Sequence, residues 1–233
     1  DPAEGLALAE TALALARALG DEAAEAKVQW QLMLLNQFLG RTHEALVSGE
    51  QSLALARKLN LREQLAFTLN DLYMHYRGQG DLARARAVMD EARALWTELG
   101  NLPMLADNLS GLSSLHLYDA EYTQAIEVSR EALRLSQSIG NLWGQSYSRF
   151  FIGPAYVTLG EFGQAIACMQ ECIQLGEQAG FMVPQVDTRT YLGMTYGMLG
   201  AYQRAFEQTR LAAAKAEALF PFYRPYPLVV QAL

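Results

Sequence analysis

The side chains that could do chemistry in this sequence are few and far apart. His43, His75 and His116 fall in different stretches without metal-ligand spacing, and they read as polar helix residues rather than ligands. Cys168 and Cys172 stand four apart, on one side of a predicted helix, where small thiols fill space. Asp71 and Asp107 offer carboxylates for acid–base work, yet no nucleophile or oxyanion donor accompanies them. No glycine-rich turn leads into Gly-Lys-Ser or Gly-Lys-Thr, which excludes a phosphate-binding loop. Gly193, Gly197 and Gly200 follow no strand, which excludes a dinucleotide fingerprint. Catalysis is not expected of such a set, nor are a cofactor and a bound metal.

The elements that carry these residues are helical. Of 233 residues, 51% are hydrophobic and 18% charged, with alanine and leucine dominant and proline sparse until the end. A formal charge of −7 and a pI near 5.0 argue against a nucleic-acid surface, because phosphate binding needs clustered Lys and Arg, and no basic stripe appears. No apolar run reaches the roughly 18 to 20 residues that span a bilayer, and the opening DPAEGLALAE lacks the regions of a signal peptide, so no membrane partner is expected. The absence of a thiol framework fits a reducing, cytoplasmic setting. Asn108-Leu109-Ser110 matches a glycosylation acceptor but falls inside a predicted helix.

The chain repeats every forty residues. Alanine recurs at Ala45, Ala85, Ala125, Ala165 and Ala205; five residues earlier stand Gly40, Gly80, Ala120, Gly160 and Gly200, and thirteen earlier Leu32, Leu72, Leu112, Ile152 and Leu192. Each unit carries two amphipathic runs, such as Asp21 to Leu39 and Thr42 to Leu59, and so reads as a helical hairpin. Gly100-Asn101 and Gly140-Asn141 pair a helix-ending glycine with an N-capping asparagine, and Gly80-Asp81 does the same at the other kind of turn. A glycine inside a helix costs about 0.5–1 kcal/mol against alanine. Gly193 is expected to offset this by close helix approach and Gly200 by forming the turn, whereas Gly197 has no packing reason.

The segment LGMTYGMLGAYQRAF, with Leu192, Gly193, Tyr196, Gly200, Tyr202 and Ala205, resembles the tetratricopeptide repeat signature, and IGPAYVTLGEFGQAI from Ile152 to Ile166 matches equally well. Tyr73 and Ser113 replace the packing glycine in other units. The resemblance covers essentially the whole chain and implies an all-α superhelix, a single solenoid over residues 1–233 with five complete hairpins and a half-repeat at each end. The usual period is about 34 residues. A period of forty implies longer helices, as in kinesin light chains, spindle-orientation adaptors and the sensor arrays of bacterial signal-transducing (STAND-type) ATPases. The chain is expected to be a fragment of a longer protein, since it opens on a second-type helix and FPFYRPYPLVVQAL enters a first-type helix without completing a hairpin.

In such an array the first helices line a concave wall. By spacing and by similarity to the family, the inward set includes Lys27, Trp30, Leu34 and Phe38; Phe67, Asn70, Met74 and Arg77; Asp107, Ser110, Ser114 and Tyr118; Tyr147, Phe150, Phe151, Pro154 and Val157; and Asp187, Thr190, Tyr191 and Met194. The candidate binding residues among them are Trp30, Phe67, Met74, Arg77, Tyr118, Tyr147, Phe150, Phe151, Tyr191 and Met194, although each could equally be packing between repeats. Pro154 removes a backbone donor and is expected to bend the helix near residue 150. Arg149 and Arg189, one repeat apart, could pair with carboxylates or form an anion-binding step. The implied function is binding of a protein, peptide or small molecule by a sensor region of a larger cytoplasmic regulator, the alternative being a passive scaffold for protein assembly.

Overall fold

A computed structural model describes residues 2–217 of the chain, and all its regular structure there is helical. The helices fall into two compact units, the chain passing from one to the other between Asn101 and Leu102. The first unit holds α1 (Pro2–Leu19), α2 (Glu22–Phe38), α3 (Thr42–Lys58), α4 (Arg62–Gly78) and α5 (Leu82–Leu99). The second holds α6 (Leu102–Tyr118), α7 (Tyr122–Ser138), α8 (Leu142–Thr158), α9 (Phe162–Gln178), α10 (Met182–Met198) and α11 (Tyr202–Glu217). The helices pair as hairpins, α2 with α3, α4 with α5, α6 with α7, α8 with α9 and α10 with α11, on the forty-residue frame. The half-repeat expected in FPFYRPYPLVVQAL lies outside the described residues.

The turns follow from one backbone device repeated at half the period. A residue with left-handed φ stands at Gly20, Gly40, Gly80, Gly100, Gly140, Gly160, Gly180 and Gly200, and Asn60 and Ala120 complete the series. The next residue's N–H then returns to the carbonyl five positions back, as from Asp81 to Tyr76 at 3.0 Å and from Glu161 to Tyr156 at 2.9 Å. Asp21, Asp81 and Asn141 start the following helices by accepting from the N–H groups of Ala24, Arg84 and Gly144.

Across each hairpin the helices cross where residues sixteen apart face each other. A Cβ added to Gly193 would come within 2.6 Å of Thr209 Cγ2 and 3.1 Å of the Ala205 carbonyl, so only glycine permits this approach. At the same place in α8, Gly153 makes room for Met169; in the α2–α3 hairpin the sizes are reversed, and Gly49 makes room for Met33. The α6–α7 hairpin has two serines there, with Ser129 donating to Ser113 at 2.7 Å. Ala45, Ala85, Ala125 and Ala165 are wholly buried nearby. A Cβ added to Gly197 would meet nothing within 4 Å among the described residues, in keeping with the expectation that it has no packing role. Asn108 is wholly buried in α6, which removes the glycosylation acceptor from solvent.

Within the second unit α8 touches both α6 and α10 in one layer, backed by α7, α9 and α11. In the first unit α2 and α4 touch in the same way, backed by α3 and α5.

Candidate binding site on the first-helix layer

In the first unit the candidate rings are largely engaged with each other. Trp30 on α2 lies 5.3 Å from Phe67 on α4, centroid to centroid, and Phe67 is edge-on to the wholly buried Trp96 at 4.8 Å. The indole N–H of Trp30 donates to Asp71 Oδ2 at 2.7 Å, which gives that carboxylate a structural role. Met74 and Arg77 are half-buried; the Met74 sulfur faces Gln37 Nε2 at 3.9 Å, and the Arg77 guanidinium lies 5.6 Å from the Tyr73 ring centre.

In the second unit the rings form a longer chain with open edges. Phe181, at the entrance of α10, lies 4.7 Å from Trp143; Trp143 lies 5.0 Å from Tyr147. Tyr147 is edge-on to Phe151 at 5.2 Å, Phe151 to Phe150 at 4.9 Å, and Phe150 to Tyr191 at 6.4 Å. Trp143, Tyr191 and Met194 are 36%, 41% and 42% exposed, and Tyr147 and Phe150 are half-buried. Phe151 is only 8% exposed: it turns under the patch and supports the other rings instead of facing outward. Tyr118, at the end of α6, is 63% exposed.

Two members of this chain, Trp143 and Phe181, escape the sequence reading because they sit at helix entrances outside the inward spacing. The signal for Phe181 is weak: Asp21, Asn101 and Asn141 hold the equivalent places as polar residues, but Leu61 already departs from that pattern, and neither Leu61 nor Phe181 can cap. Conversely, Asn70, Ser110, Ser114 and Thr190 from the inward set are buried. Neighbouring first helices touch near this line, with Ser110 Oγ 3.3 Å from Ser148 Oγ.

The polar groups around the patch divide sharply. Arg149 donates from Nε to Glu171 at 2.8 Å, and Arg189 donates to Glu177 at 2.6 Å and Gln208 at 3.1 Å, so both arginines are paired with carboxylates on the second-helix side. Arg189 there borders a groove of about 220 Å³ with Gln170, Gln174 and Glu177. Asp187 on α10 is half-buried, its Oδ1 out of solvent and without a hydrogen-bond partner among the described residues, and burial alone pushes its carboxyl up to about 7. Burial likewise pushes the thiols of Cys168 and Cys172 up to about 12 and about 11; Cys172 donates to the Ser146 carbonyl at 3.2 Å as a packing residue. Helix α8 runs unbroken through Pro154, which has no N–H to offer the Phe150 carbonyl.

No helix among the described residues is long and apolar enough to cross a membrane. No curated protein matches the chain by sequence. Among solved structures it resembles NprR in complex with its cognate peptide NprX (TM-score 0.76, 13% identity, covering 94% of this chain and 65% of that one). It also resembles BtubC (BKLC) from P. vanneervenii (TM-score 0.66, 17% identity, 93% and 91% covered). A third is a Rap protein complexed with Competence and Sporulation Factor (TM-score 0.68, 12% identity, 91% and 63% covered). At these identities the likeness is one of fold, and the chain spans less than two thirds of the NprR and Rap chains. Two tetratricopeptide repeat family models match residues 64–138 and 146–177. With the hairpins, the forty-residue frame and these matches in agreement, the chain is an array of tetratricopeptide repeats.

Proposed function

We propose that this array is the non-catalytic ligand-binding region of a larger cytoplasmic signalling regulator, and that it takes a peptide, protein or small molecule on the first-helix layer of α8 and α10. The observation that carries this reading is the chain of rings from Phe181 through Trp143, Tyr147 and Phe150 to Tyr191, with its outer edges open to solvent. Packing alone calls for buried rings, as at Trp96, whereas a binding surface needs rings held in place from below and open above. Two structures of similar fold hold partners, NprR its cognate peptide and a Rap protein the Competence and Sporulation Factor. A ligand with different affinities for two arrangements of the regulator would shift it between them. The resemblance to sensor arrays of signal-transducing ATPases makes such an enzyme the proposed setting.

The test begins with capture of the ligand by the intact protein from its own cells and titration against variants. Tyr147→Ala, Phe150→Ala and Tyr191→Ala should each weaken binding by about 1–3 kcal/mol with folding intact. Phe151→Ala should lower stability. Unchanged affinity in the first three would move the site elsewhere, and full-length sequence without a phosphate-binding loop would remove the ATPase setting.

A further inference from the structure

The forty-residue frame equates Phe67, Trp30 and Trp96 of the first unit with Asp187, Phe150 and Ala216 of the second. In the first set three rings close on one another at 5.3 Å and 4.8 Å. In the second, a carboxylate and a methyl group stand where two of those rings would be, on the layer that carries Tyr147, Phe150 and Tyr191. Tyr191 follows Asp187 by one helical turn and so shares its face of α10.

This carboxylate has no cation of its own among the described residues. On the elements packed around it, Arg149 of α8 is held by Glu171, Arg189 of α10 by Glu177 and Gln208, and Lys215 of α11 by Gln185 at 2.6 Å. A buried charge without a partner is expensive, and buried polar atoms in native proteins almost always have partners, so the unsatisfied Oδ1 of Asp187 calls for one. Two features of this layer favour positive charge. Ring faces attract cations, and the Phe150 carbonyl lacks its usual helical donor because residue 154 is proline. A hydrated metal ion has the wrong chemistry for a single carboxylate on a layer of rings, and no cluster of three His, Cys, Asp or Glu side chains exists among the described residues.

Building on the function proposed above, we propose that Asp187, with Phe150, Tyr147 and Tyr191, forms a subsite for an organic cation: an ammonium or guanidinium group borne by an apolar ligand or an apolar peptide. The carboxylate pairs with the cation while the rings cover its hydrocarbon part. Because burial favours the protonated carboxyl, binding of the cation releases that proton.

The test uses phenethylammonium and benzylguanidinium as probes and 2-phenylethanol as their neutral counterpart, titrated into the whole chain and followed by amide NMR shifts on α8 and α10. The cations should bind at least about tenfold more tightly than the alcohol, and their affinity should rise up to about tenfold from about pH 6 to about pH 8, where Asp187 ionises. Asp187→Asn should abolish both the preference and its pH dependence, while Asp187→Glu should retain part of the preference. Equal binding of the alcohol, a cation preference that survives Asp187→Asn, or no binding of either cation would overturn the proposal. If Phe150→Ala still weakens the natural ligand in that event, the subsite falls and the wider binding function stands; if it does not, both fall.

Discussion

A carboxylate that folding strips of water without giving it a partner holds its proton harder than the same group in the unfolded chain. Asp187 is in that position, raised from the ordinary carboxylate range near 4 to about 7. The sign follows directly. Below about pH 4 the group is protonated in both states and contributes nothing to pH dependence. As pH rises from about 4 to about 7, the unfolded state gives up the proton and the folded state resists, so stability falls across that window and levels off above it. Asp187→Asn should flatten this segment of the stability profile and raise stability by about 1–3 kcal/mol at about pH 8, measured by urea unfolding at a series of pH values. An unchanged profile would show that Asp187 stays hydrated. At this scale the sequence is least informative: Asp187 is visible as an inward residue, but its isolation depends on where Arg149, Arg189 and Lys215 spend their charges, and those partners are separated from them by twelve to thirty residues. Composition and spacing therefore left pairing and anion binding both open for the arginines.

At the scale of the hairpin, helix limits and turns were legible because their causes are local. A left-handed residue, a capping side chain and an apolar period lie within a few residues of each boundary, and the observed helices keep to the forty-residue frame. The crossing points were legible only in part. Glycine at position 193 announces close approach, but the pairing of Gly153 with Met169 and of Met33 with Gly49 is a property of two positions on different helices, and periodicity within either helix does not display it. The reciprocity makes a test. Gly153→Met alone should lose about 1–3 kcal/mol by overpacking and Met169→Gly alone about 2–5 kcal/mol by leaving a cavity and adding a helical glycine. Combined, they reproduce the arrangement of the α2–α3 hairpin, and the double variant should be more stable than the sum of the two losses predicts by about 0.5–3 kcal/mol. Strict additivity in chemical denaturation would show that the two sites do not share a volume.

For the whole molecule, a repeat array should respond to damage locally, since each hairpin leans on its neighbours rather than on a common centre. Gly193→Leu pushes a side chain towards Thr209 and the Ala205 carbonyl, and should cost about 1–3 kcal/mol. Native-state hydrogen exchange should record the loss as faster exchange in α10 and α11, with α2 to α4 unchanged; uniform acceleration through all the helices would show a single cooperative body. The all-helical architecture could be read from periodicity, because the same causes are written five times. The open patch could not be read so fully, because Trp143 and Phe181 join it through tertiary contact at helix entrances. One further consequence lies in the left-handed residue that recurs at every twentieth position from Gly20 to Gly200. An unequal crossover between misaligned gene copies that adds or removes forty codons keeps every turn in place and every first helix a first helix. An exchange of twenty codons also preserves the turns, but it exchanges the two helix types downstream and puts second-helix side chains where the patch should be. The coding sequence of this protein can thus lengthen or shorten by whole hairpins while remaining foldable at each step, and the spacing of its turns sets the unit of that change.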